Sequence, residues 1–199
     1  MSSVPITTYS GKAFKTLIIS PTTPLQDKVE GCKKYAAYYE LEPPPVEETP
    51  ELCQGLVVGL WTKSNELIMA VLVMINGLAK THALSHAPPH WLGELINAVF
   101  QVEAITVFAS EVSANLWFEV PDEVTERLQS VASQMSGNFV HYLIVQVLSA
   151  DADLVPLAPK IKRLMAAASA NTQVTYEAMI IRYSRSMSSS CRDALLAQK

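Results

Sequence analysis

Three consecutive prolines, Pro43-Pro44-Pro45, sit inside the stretch ELEPPPVEETPE at residues 40–51 and set the first condition on the fold. No α-helix runs through them, because each proline lacks an N–H donor and its ring clashes one turn back. No sheet interior accepts them either. Four prolines and five glutamates in twelve positions favour extended polyproline II in water over a packed core. Residues 40–50 therefore read as an exposed acidic linker. Thr49 is placed to cap the helix that follows, with Pro50 at its first position. Pro43, Pro44 and Pro45 are the candidate partner-binding residues of this linker. As a ligand for an aromatic groove the segment lacks the arginine or tyrosine that such ligands carry, so a spacer role is the stronger expectation.

The linker divides the chain into an N-terminal part and a larger core. Residues 1–23 are rich in Ser, Thr and Pro, and are expected to be an arm or a small hairpin. In the hairpin reading, Val4–Tyr9 pairs with Ala13–Ser20 across Ser10-Gly11-Lys12. Residues 24–39 are helical, since Leu25, Val29, Cys32, Ala36 and Tyr39 recur at helical spacing. Residues 51–199 form the core domain.

Within that core, residues 51–83 admit two readings. GLVVGLW and ELIMAVLVMI around Lys63-Ser64-Asn65 fit a buried β-hairpin. Their Leu, Met and Ala content favours two helices instead, with Ser64 as a cap. Pro88-Pro89 opens a further helical segment from His90 to about Leu116, and Asn115–Pro121 is more strand- or loop-like. Pro121-Asp122-Glu123 starts a helix with the stripe Val124, Leu128, Val131, Ala132 and Met135. Phe139–Leu148 is apolar on nearly all sides, as a central helix is. Helices over about 159–170, 173–187 and 190–198 complete the chain. The expected fold is mainly α: one compact domain of six to eight helices with an N-terminal arm and a minor β-hairpin.

Charge is sparse, with 17% Asp, Glu, Lys and Arg against about 25% in ordinary domains. It is also polarised. Residues 1–126 carry 7 bases and 15 acids, a balance of −8, whereas residues 127–199 carry 8 bases and 4 acids, a balance of +4. Such a chain is suited to meeting a second copy end to end, or to meeting a polyanion with its basic third. Lys160, Lys162, Arg163, Arg182, Arg185 and Arg192 are the candidate polyanion- or partner-binding residues. Their clusters are small and the whole chain is acidic (isoelectric point about 5.6), unlike a dedicated nucleic-acid module. The serines Ser184, Ser186, Ser188, Ser189 and Ser190 among these arginines resemble a substrate of basophilic kinases.

Chemistry-bearing motifs are few. His82, His86 and His90 share one loop, at a spacing that would put two imidazoles on one face of a helix, but Pro88-Pro89 interrupt it and no HExxH occurs. There is no GxSxG, no GxGxxG and no P-loop. Three widely spaced cysteines, Cys32, Cys53 and Cys191, form neither a disulfide framework nor a zinc ribbon. The longest apolar run, Leu67–Ala79, is too short to span a bilayer. No signal peptide or glycosylation sequon argues for secretion, so a cytoplasmic location, or one within a virus particle, is expected. The chain reads as a non-enzymatic protein that self-assembles into homo-oligomers or binds other proteins, without cofactor or metal. A viral or phage structural component fits that profile. The alternatives are a nucleocapsid-like, nucleic-acid-binding subunit using the basic third, and a metal-dependent or other enzyme using the His82–His90 loop.

Overall fold

The computed structural model describes residues 9–102, 106–120, 137–150 and 153–197. Among these residues there are ten α-helices and no strand: α1 (Gly11–Ile19), α2 (Leu25–Leu41), α3 (Thr49–Leu60), α4 (Asn65–Lys80), α5 (Pro89–Phe100), α6 (Thr106–Glu119), α7 (Gly137–Leu148), α8 (Ala158–Thr172), α9 (Tyr176–Tyr183) and α10 (Ser189–Ala197). Short 3-10 turns precede α3 (Val46–Glu48) and follow α9 (Ser184–Ser186). The mainly α expectation holds, with more helices than the six to eight expected.

The hairpin is corrected. Ala13–Ile19 belongs to α1, while Val4–Thr8 lies outside the described residues. Ser10 decides the matter locally: its hydroxyl accepts the Ala13 N–H at 3.1 Å, a standard helix N-cap. Phe14 and Ile18, four residues apart, are then buried together. Helix α1 lies along α3 in parallel, with Gly11 beside Glu48 and Leu52, and Phe14 and Lys15 beside Gly55. A Cβ at Gly11 would collide with the Glu48 carbonyl oxygen, and one at Gly55 would stand 3.0 Å from the Lys15 Cα. These two glycines allow the close approach.

Two helices occupy residues 51–83, as the composition favours, and Ser64 caps α4 by accepting the Leu67 N–H at 3.3 Å. The segment from His90 to Leu116 is not continuous: α5 ends at Phe100 and α6 begins at Thr106. Asn115–Glu119 is helical rather than strand- or loop-like, and buries Leu116 and Trp117. The helix expected after Pro121, with Val124, Leu128, Val131, Ala132 and Met135, lies outside the described residues. The last three helices fall close to their expected places.

One apolar core runs from Phe14 to Leu195. Contacts follow the chain: α1 and α2 pack with α3 and α4, α3 and α4 reach α5 and α6, α6 packs on α7, and α7 on α8, which holds α9 and α10. Polar groups tie α4 to α6, where Glu111 accepts from Asn76 (3.3 Å) and Lys80 (3.1 Å) and Asn115 donates to Asn76 (2.7 Å).

Candidate docking surfaces

The triproline segment is built into the fold. Pro44 is buried, and Pro43 and Pro45 are exposed. The Glu48 carboxylate accepts the Gly11 N–H at 2.9 Å, so the acidic stretch caps α1. Thr49 is buried at 1% exposure and donates to the Val46 carbonyl at 2.8 Å. It starts α3 from inside the helix, with Glu48 in the flanking position where Thr49 was expected. The 40–50 segment is thus a pinned ridge, not a free spacer. Its outer surface carries Leu41, 83% exposed, and Val46, 55% exposed. Glu40 and Glu42 flank Leu41 in the chain and Glu47 follows Val46, all exposed. Glu40 and Glu47 make no ion pair among the described residues. Glu42 accepts the Tyr38 hydroxyl at 2.5 Å, and that hydrogen bond is the main reason the Tyr38 phenol is held above its ordinary pKa.

The basic third divides into an interior lysine and a surface group. Lys160 was expected on the surface and is instead buried. Its ammonium donates to the carbonyls of Trp117 (2.6 Å) and Val120 (2.5 Å) and lies 4.6 Å from the Trp117 ring centre. The reason is the C-terminus of α6, whose carbonyls lack partners in their own helix and attract a cation. Lys162, half-buried, stands 5.9 Å from the Tyr176 ring centre, and Arg163 is half-buried on the same helix. Arg182, Arg185 and Arg192 are exposed on α9, the turn after it, and α10. Arg192 approaches Asp193 at 3.8 Å. Arg182 and Arg185 make no ion pair among the described residues.

Between Arg182 and the preceding turn of α9 stands Ile181, 73% exposed. It was not singled out from the sequence, where IIRY reads as an ordinary amphipathic step. Its neighbour Ile180 is buried at 1%, so the helix needs only one of the pair inside. The turn holding these residues is fixed from below: Tyr183 is buried and its hydroxyl meets the His141 imidazole at 2.8 Å. Burial raises the Tyr183 phenol's pKa, against a smaller opposing effect of Arg182. Of the serines in this region, Ser188, Ser189 and Ser190 are exposed, and Ser188 caps α10 by accepting the Cys191 N–H at 3.2 Å.

A groove of about 490 Å³ lies where α1, α3 and α5 meet. Ile19, Val57, Val58, Trp61 and Trp91 form its apolar wall, and Trp61 is 60% exposed. Its polar rim is Lys15, Gln54, His90 and Glu94, with Lys15 paired to Glu51 at 2.7 Å. The three loop histidines go separate ways. His82 takes the left-handed conformation (φ 55°) that ends α4 and contacts the carboxylate of Glu119. His86 is exposed, and His90 sits beside Trp91 in the groove. No cluster of three or more metal-capable side chains occurs among the described residues. The three cysteines are buried, and desolvation pushes the Cys32 and Cys53 thiols up to about 12, the reverse of what nucleophilic activation requires. No helix among the described residues is long and apolar enough to cross a membrane.

Comparison with protein-family models, with curated proteins and with solved structures returns no match for this chain.

Proposed function

We propose that the chain is a structural subunit that works by self-association, the basic C-terminal end of one copy meeting the acidic first half of the next. The observation that carries this reading is Ile181, 73% exposed beside Arg182 and a turn before Arg185, two exposed arginines without an ion pair among the described residues. A lone exposed aliphatic is commonplace. One held on an anchored turn, beside two arginines that make no ion pair among the described residues, has the composition of a docking surface, where arginine is enriched and apolar groups form the centre. The scarcity of charge elsewhere on the chain supports the same reading.

Light scattering after size-exclusion chromatography tests it, at roughly 0.01 M and 1 M salt, where the screening length changes from about 30 Å to about 3 Å. Assemblies larger than the 21.8 kDa chain are expected at low salt, and dissociation is expected at high salt. The double substitution Arg182→Glu/Arg185→Glu is expected to leave a monomer in both. A wild-type monomer at both salts would refute the reading. Co-purified nucleic acid, released by salt and lost in the same variant, would replace it with a nucleic-acid-binding subunit using Lys162, Arg163, Arg182, Arg185 and Arg192.

A further inference from the structure

We infer that the acceptor for the Ile181 end is the triproline ridge of a second copy, with Leu41 as its apolar centre. This rests on the self-association reading and names the surface that reading leaves open. Leu41 and Ile181, at 83% and 73% exposure, are the two most exposed large hydrophobic side chains among the described residues. Each is set in charge, and the signs are opposite. Leu41 lies between Glu40 and Glu42, with Val46 and Glu47 completing the ridge; Ile181 lies beside Arg182 and one turn before Arg185. Two exposed charges run against this pattern among the described residues: Glu177, one turn before Ile181, and Lys34, two turns before Leu41.

Rigidity favours the ridge over other acidic stretches. Buried Pro44, the Glu48 bond to Gly11 and the Thr49 bond to Val46 hold it before any partner arrives, so little backbone freedom is lost on binding. The Trp61 groove is apolar too, but its rim is mixed, with Lys15 and His90 facing the same space as Glu94. It offers the arginines no comparable field. The two surfaces differ, so the contact is heterologous and propagates into a ring or an open filament rather than closing a simple two-fold dimer.

The test is a charge swap between two variants. Arg182→Glu/Arg185→Glu sets glutamates against the native ridge, and Glu40→Lys/Glu47→Lys sets lysines against the native arginines. Each alone is expected to weaken assembly about tenfold or more, a difference of about 1.4 kcal/mol. Mixed in equal amounts they are expected to recover it, because every junction is then complementary. Leu41→Ser is expected to weaken assembly about tenfold without altering the salt dependence. Circular dichroism checks that each variant keeps its helices. If the arginine variant dissociates while both ridge variants assemble like wild type and mixing restores nothing, the ridge is not the acceptor and the self-association reading survives. Dissociation by Trp61→Ala with an unaffected ridge would move the acceptor to the groove and overturn the inference. If wild type never assembles, both fall.

Discussion

The ammonium of Lys160 lies 2.6 Å from the carbonyl oxygen of Trp117, above the indole of the same residue, and joins α8 to the end of α6. A second bond to Val120 makes the lysine a cap delivered from 40 positions along the chain. A cation beside unpaired C-terminal carbonyls is favoured by the helix dipole.

Lys160→Met should therefore destabilise the fold by about 2 kcal/mol, the scale of hydrogen bonds to a charged group plus the cost of stranded carbonyls. Arg182→Ala, on the exposed face of α9, should change stability by less than about 0.5 kcal/mol. Urea unfolding of both variants checks the contrast, and equal effects would contradict the placement of Lys160.

Gly55→Ala puts a methyl group 2.8 Å from the Phe14 ring and 3.0 Å from the Lys15 backbone. The backbone of α1 has to move, and a loss of roughly 1–3 kcal/mol is expected, as for overpacked cores. A more stable variant, as usual for Gly→Ala in a helix, would show that α1 does not pack this closely.

Alkaline pH should weaken the fold. Burial lifts Cys32 and Cys53 from 9.0 to about 12, and Tyr35 from 10.0 to about 12. In each case the folded state holds the proton more tightly than the unfolded chain. The stabilisation is complete below about pH 9 and declines as pH rises toward 12. Thermal melts from pH 7 to 11.5 should show a falling midpoint above pH 9. A flat profile would show that these groups are not buried together. Thiol reagents at pH 8 should titrate the cysteines only after unfolding.

Tryptophan emission should separate the three indoles. Trp61 is 60% exposed, Trp91 is half-buried and Trp117 is 1% exposed. Trp61→Phe should remove the larger share of acrylamide-quenchable fluorescence, and Trp117→Phe should leave that share in place.

The parts of the fold that could be read from sequence are those whose signals are local. Ser64 at a cap and the apolar spacing of Val29, Cys32 and Tyr39 each need only their own turn of chain, and α4 and α2 formed where they indicate. The α5–α6 break escaped because Gln101 and Val102 carry no glycine or proline to mark it. Helix α1 looks like a strand because Thr16, Ile18 and Ile19 are β-branched, and the Ser10 cap together with the burial of Phe14 and Ile18 against α3 outweighs that preference. The candidate surfaces divide the same way. Charge clustering located Arg182, Arg185 and the acidic ridge. The burial of Lys160 and the bond from the Gly11 N–H to Glu48 depend on partners about forty residues away, and no local pattern announces them.

The parallel seat of α1 on α3 also sets a schedule. Glu48, which caps α1, follows Gly11 by 37 residues. At about 5–20 residues per second, a ribosome needs roughly 2–8 s to add that length. During that interval Phe14 and Ile18 have no α3 to cover them. The nascent chain therefore carries the apolar face of α1 uncovered until α3 has emerged, through residue 60.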